Sequence, residues 1–188
     1  MSAPLELPPV VVQAFDLSRR QGFVRSCRNE TGRLLAALAA SRRGTLAECG
    51  TGCGVGSAWL RSGLRDDGRV VTAELDPELA AAVAELFTGD EKVTVLQADW
   101  SDLERYAPFS LLFIDVREPK RSGIDVVAEL MEPGGVVVLD DFTPCTSWPP
   151  IFQGRVDTIR QGWLSDDRFT SVEVMVASDA AVVLASRR

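Results

Sequence analysis

A carboxylate, a run of alternating glycines and a second carboxylate carry the first chemical signal. Glu48 is followed by Gly50, Gly52 and Gly54, then by the segment 55–60, which opens with Val55 and includes Ser57. Glycine has no Cβ and tolerates positive φ, so such a loop turns sharply and lets a ligand approach the backbone. A helix starting just after it offers free N–H groups and the positive end of its dipole. Glu74 ends the next strand-like run, residues 69–74. In nucleotide-binding α/β folds a carboxylate near this place accepts hydrogen bonds from ribose hydroxyls. The pattern therefore predicts a nucleoside-containing ligand bound at the end of the first strand.

The spacing selects among such ligands. A dinucleotide fingerprint reads G-x-G-x-x-G, its third glycine letting helix and strand pack beneath a pyrophosphate. Here the order is G-x-G-x-G with Glu48 in front. A carboxylate in that place repels a pyrophosphate and suits an ammonium group. S-adenosylmethionine has an ammonium, a sulfonium and a ribose, and no phosphate. An NAD(P)-dependent oxidoreductase is the rival reading, disfavoured by the glycine spacing. A non-catalytic module that keeps the cofactor pocket is the other.

Composition narrows the chemistry further. The 188 residues contain no histidine, so Ser-His-Asp and Cys-His nucleophilic sites cannot be built. Any metal must be held by carboxylates, which points to a hard ion such as Mg2+ or Ca2+. Lys and Arg number 20 against 27 Asp and Glu, a formal net charge of −7, which argues against nucleic acid as a partner. Cys27, Cys49, Cys53 and Cys145 form no C-x-x-C pair and read as reduced thiols of a cytoplasmic protein. No apolar run is long enough for a membrane span, and the first nine residues lack the regions of a signal peptide.

The elements that must position these residues alternate along the chain. Strand character falls at 45–48, 69–74, 92–96, 110–115 and 136–139. Helical character falls at 30–41, 55–62, 76–87, 123–131 and 155–164. Residues 132–135 read as a turn, and 171–177 with 181–186 read as two strands around a tight turn. Strand–helix alternation predicts a mainly parallel sheet with helices on both faces, the last hairpin adding an antiparallel edge. Carboxylates then gather at the C-terminal ends of the strands: Glu48, Glu74, Asp99, Asp115, Asp140 and Asp141. That edge is where open α/β sheets bind ligands. Residues 142–152, rich in Pro and aromatics, follow the fifth strand as a stiff wall over the pocket or as a loop packed on its own domain.

These motifs resemble the class I S-adenosylmethionine-dependent methyltransferases, and within them the small-molecule O-methyltransferases of the catechol and caffeoyl-CoA type. The resemblance rests on residues 46–54, 70–78, 112–115, 132–141 and 163–169. It implies a Rossmann-like α/β fold with a mainly parallel seven-stranded sheet in the order 3-2-1-4-5-7-6. It also implies one domain over residues 30–188, preceded by an arm or partial lid over 1–29 that is shorter than the helical lid of many relatives. A small-molecule acceptor and a homodimer are its implied partners.

Residue by residue, the resemblance places Glu48 near the methionine amino group and Gly50, Thr51, Gly52, Gly54 and Ser57 in the loop under the cofactor. Glu74 and Leu75 would lie at the ribose. Asp99 would face the adenine amino group, with Trp100 either stacking nearby or packing in the core. Asp115, Asp140 and Asp141 stand where metal-dependent members bind magnesium, although the usual pair there is Asp-Asn; Asp115 would alternatively touch cofactor. The usual lysine three residues after the first Asp is Glu118 here, and Lys120 lies two further on as the candidate base.

Overall fold

The computed structural model describes residues 6–188, so the part of the expected arm in residues 1–5 lies outside the described residues. Its strands are β1 Gly44–Cys49, β2 Gly68–Glu74, β3 Val93–Gln97, β4 Phe109–Ile114, β5 Met131–Phe142, β6 Ile151–Phe152, β7 Arg155–Val156, β8 Phe169–Ala177 and β9 Ala180–Arg187. Seven of them form one sheet in the order β3-β2-β1-β4-β5-β9-β8, and β6 pairs only with β7. Counting only the strands of the large sheet, this is the expected order 3-2-1-4-5-7-6. Strands β1 to β5 run parallel, and β9 joins antiparallel to both β5 and β8.

Strand residues alternate between two apolar layers, as the two-residue period of a strand requires. Leu46, Val70, Leu111, Phe113, Val136 and Val138 face one layer. Ala47, Val71, Leu112, Ile114, Val137 and Leu139 face the other. Helices α1 Pro9–Arg20, α2 Asn29–Ala40, α3 Val55–Gly63 and α4 Pro77–Leu86 contribute to the first layer. A 3-10 helix Trp100–Tyr106, α5 Arg117–Ser122, α6 Ile124–Leu130 and α7 Thr158–Ser165 follow, of which the 3-10 helix, α6 and α7 cover the second. No helix among the described residues is long and apolar enough to cross a membrane.

Local sequence explains most boundaries. Pro77 at the first position of α4 and the Asp76 side chain, which accepts from the Glu78 and Leu79 N–H groups at 2.9 and 3.2 Å, start that helix. Where an arm was expected, residues 9–20 form α1. Its Pro9 fits the first turn, and Val11, Ala14 and Leu17 recur at helical spacing and are buried in the first layer. The expected turn at 132–135 lies inside β5, where Phe109 pairs with Met131 but Leu111 with Val136. That irregularity lets Gly134 take φ 79° without ending the strand.

Candidate active site

A cleft of about 980 Å³ opens at the C-terminal edge of the sheet. Its floor is the β1–α3 loop, where Gly50, Gly52 and Gly54 take φ of 89°, 53° and 80°. These left-handed values favour glycine. The loop is also pressed from outside. A Cβ on Gly50 would sit 2.3 Å from Val116 Cγ1, and one on Gly56 would sit 2.0 Å from Glu48 Oε1.

Glu48 and Glu74 both line this cleft. Glu48 is 1% exposed. Its Oε2 accepts hydrogen bonds from the Ser57 hydroxyl and, at 2.8 Å, from the Thr72 hydroxyl. Burial pushes the Glu48 carboxyl up to about 7, against the opposing pull of those two hydroxyls. Glu74 holds the loop: its Oε2 accepts from Gly52 N–H at 2.8 Å and its Oε1 from Asp76 N–H at 3.0 Å. A carboxylate has about four acceptor sites, so Glu74 keeps room for further donors.

At the other end of the cleft, carboxylate oxygens of Asp115, Asp140 and Asp141 lie within 4.8 Å of one another. Burial, then the neighbouring Asp141 charge, hold the Asp115 carboxyl above the ordinary range, with Lys120 opposing. Burial likewise raises Asp140, whose Oδ1 accepts from the Thr31 hydroxyl at 3.3 Å. The strand register breaks between Leu139 and Phe142, and Asp141 takes φ 66°. A non-glycine residue there carries strain, of the kind that clusters at functional sites.

Lys120 is 8% exposed and sits beneath this pair, not on the cleft wall. Its Nζ donates to the Asp140 carbonyl at 2.8 Å and lies 3.6 Å from Asp141 Oδ2. Trp163 Nε1 donates to the Lys120 carbonyl at 2.9 Å, fixing the backbone that carries it. Beyond Asp141 the chain is clamped by Arg160, whose side chain is 1% exposed. Arg160 donates through Nη1 to Glu173 at 2.9 Å and through Nη2 to the Thr143 carbonyl at 2.8 Å. Its guanidinium lies 5.1 Å from the centre of the Phe142 ring. The other oxygen of Glu173 accepts from Cys145 N–H at 2.9 Å.

The cleft thus gathers Glu48, Gly50, Thr51, Gly52, Glu74, Asp115, Asp140 and Asp141. Gly54 and Ser57 act from behind it, as the helix cap and as the donor to Glu48. Leu75 is 69% exposed and does not line the cleft. Neither do Asp99 and Trp100: Asp99 caps the 3-10 helix, accepting from Ser101 N–H at 3.0 Å and its hydroxyl at 2.7 Å, and Trp100 packs on the second apolar layer.

The segment between α1 and α2 falls within the expected arm or partial lid, but none of its residues is among those expected at the site. Residues 23–28 form one wall of the cleft. The Phe23 ring lies 3.0 Å from where a Gly52 Cβ would stand. Arg28 is tied to Asp179, on the β8–β9 turn, by two hydrogen bonds of 2.9 and 3.0 Å. A lone aromatic among polar residues after a glycine was the only local signal.

Residues 47–142 match a family described as a methyltransferase domain. A protein of Mycobacterium tuberculosis described as a probable O-methyltransferase is 37% identical over 119 residues, which are 57% of this chain and 52% of that protein. The chain spans about half the length of the curated relatives it matches. Among solved structures, an O-methyltransferase of Bacillus cereus in complex with SAH superposes with a TM-score of 0.77 at 19% identity, covering 97% of this chain and 93% of that one. TomG, an O-methyltransferase of Streptomyces achromogenes involved in tomaymycin synthesis and in complex with SAM, gives 0.76 at 22% identity, covering 97% and 92%. These two share the fold. The matched stretch begins in β1, takes in the glycine loop and both glutamates, and ends at the last residue of β5. The chain belongs to the methyltransferase domain family.

Proposed function

We propose that this protein transfers a methyl group from S-adenosylmethionine to a hydroxyl of a small molecule. The observation that carries the reading is the meeting of Glu48 and Glu74 in one cleft, beside a loop whose alternate residues are glycines at positive φ. The group fits the residues present. A buried carboxylate that pairs with two hydroxyls and no cation among the described residues suits an ammonium, and Glu74 retains acceptor sites for ribose hydroxyls. The volume is of the size that takes a nucleoside conjugate.

When bound, S-adenosylmethionine supplies an electrophilic methyl on its sulfonium. The chain's own residues then do the positioning. Glu48 orients the amino-acid end, Glu74 the ribose, and the wall formed by residues 23–28 excludes water. Holding nucleophile and methyl in line supplies much of the acceleration of such a displacement. Asp115, Asp140 and Asp141 border the acceptor end. A proton leaving the acceptor hydroxyl has Asp115 or Asp141 to receive it. Lys120, hydrogen-bonded under the pair, positions Asp141 and does not reach the cleft. The three carboxylates also form a hard donor set suited to Mg2+, which would lower the pKa of a bound hydroxyl.

Titration calorimetry with S-adenosylmethionine and with NAD tests the cofactor assignment, and binding of NAD alone would defeat it. Formation of S-adenosylhomocysteine across a panel of phenols and catechols, with Mg2+ and with a chelator, tests the activity. Binding without turnover on any acceptor would favour the non-catalytic module.

A further inference from the structure

The proposed cofactor is a zwitterion at its amino-acid end. Glu48 answers the ammonium, and the carboxylate on the same carbon needs a cation. The cleft is lined by three: Arg25, Arg28 and Arg117. Arg28 is taken by Asp179 through both guanidinium nitrogens. Arg25 and Arg117 make no hydrogen bond or ion pair among the described residues, although seven carboxylates line the same cleft.

Both are carried by segments that touch the glycine loop. Arg117 follows Val116, whose Cγ1 lies 2.3 Å from where a Gly50 Cβ would stand. Arg25 lies two residues past Phe23, whose ring covers Gly52. Gly50 is two residues from Glu48. The two arginines therefore belong to separate segments, each packed against the glycine loop two to four residues from Glu48, and both line the cleft that Glu48 enters. A guanidinium presents paired donors that match a carboxylate.

We infer that Arg25 and Arg117 form a carboxylate-binding pair over the glycine loop. The inference rests on the proposed use of S-adenosylmethionine. The carboxylate comes either from the amino-acid end of the cofactor or from an acid group on the acceptor, and two arms of one experiment separate these sources.

In the first arm, calorimetry compares S-adenosylhomocysteine with its decarboxylated analogue on the wild type, R25A, R117A and the double variant. R121A, a change of an exposed arginine on α5 that does not line the cleft, is the control. With the cofactor as source, the wild type prefers S-adenosylhomocysteine by about tenfold or more, and the double variant loses that preference while R121A keeps it. In the second arm, 3,4-dihydroxybenzoate and catechol are titrated onto the S-adenosylhomocysteine complex. With the acceptor as source, the benzoate binds about tenfold tighter, and the double variant removes the difference at unchanged cofactor affinity. Loss of preference in neither arm, with S-adenosylhomocysteine still bound, overturns the arginine pair alone. Failure of the wild type to bind S-adenosylhomocysteine overturns the cofactor assignment and the pair with it.

Discussion

Glu48 and Glu74 give their oxygens to hydroxyls and backbone N–H groups of the loop and strands around them, whereas Asp115, Asp140 and Asp141 crowd within 4.8 Å around one ammonium. At the first end every carboxylate has several neutral donors, and the backbone strain falls on glycines, where it costs little. At the second, like charges repel, burial raises two carboxyls, and the strain falls on Asp141. The contrast separates a preformed binding site from a region held in tension. Under the proposed function the first end receives the cofactor, and the second would hold a cation or take a proton.

The contrast breaks most sharply at Gly56. Gly56→Ala would drive a methyl into Glu48 Oε1 and Phe113, both fixed in the core. The expected result is a loss of S-adenosylhomocysteine affinity of about a hundredfold by calorimetry, with a melting temperature lower by several degrees, since overpacking costs about 1–3 kcal/mol. An unchanged affinity would mean that the Glu48 carboxylate does not need its present place.

Acidity comes next. Because the Glu48 carboxyl is held at about 7, it must lose its proton before it can pair with an ammonium. Affinity for S-adenosylhomocysteine should weaken about tenfold for each pH unit below about 7, and Glu48→Gln should bind poorly with a flat profile. The sign for folding is opposite. Between its ordinary value and about 7 the native state keeps a proton that the unfolded chain has released. Stability of the free protein therefore falls as pH rises through this window, by roughly 3 kcal/mol from this group. Thermal melts with and without ligand should diverge as pH rises; a constant gap would remove Glu48 from ammonium recognition.

The strained end predicts a trade. Asp141→Gly removes a charge from a repelling trio and relieves φ 66°. It should stabilise the protein by about 1 kcal/mol while abolishing methyl transfer, measured by melting and by turnover. Smallest is the outer latch. Arg28→Ala breaks an ion pair whose side chains are 50% and 66% exposed, so cofactor affinity should change by less than about fivefold. A larger loss would mean that the wall of residues 23–28 needs this latch to keep its place.

What could be read beforehand follows the same divide. The first end is legible because its parts are consecutive: strand, Glu48, alternating glycines, strand, Glu74. Its local rules of turn and helix start need no partner from afar. The parts that escaped depend on distant contacts. Pro8-Pro9 reads as an arm until Val11, Ala14 and Leu17 find a core to fill. Lys120 looks like an exposed lysine near an Asp, and only the return of β5 places the Asp140 carbonyl over its Nζ. Leu75 follows Glu74 directly, but it lies past the end of β2, in the bend before α4, and is left in solvent. Arg160 has one local partner, Asp157 at 3.2 Å, but those by which it clamps the chain lie at 142, 143 and 173.

That guanidinium ties the outermost strand of the sheet to the segment that leaves β5. Any tug on β8, the outermost strand, passes through Glu173 to Thr143 and Cys145, and so reaches Asp141 within two residues.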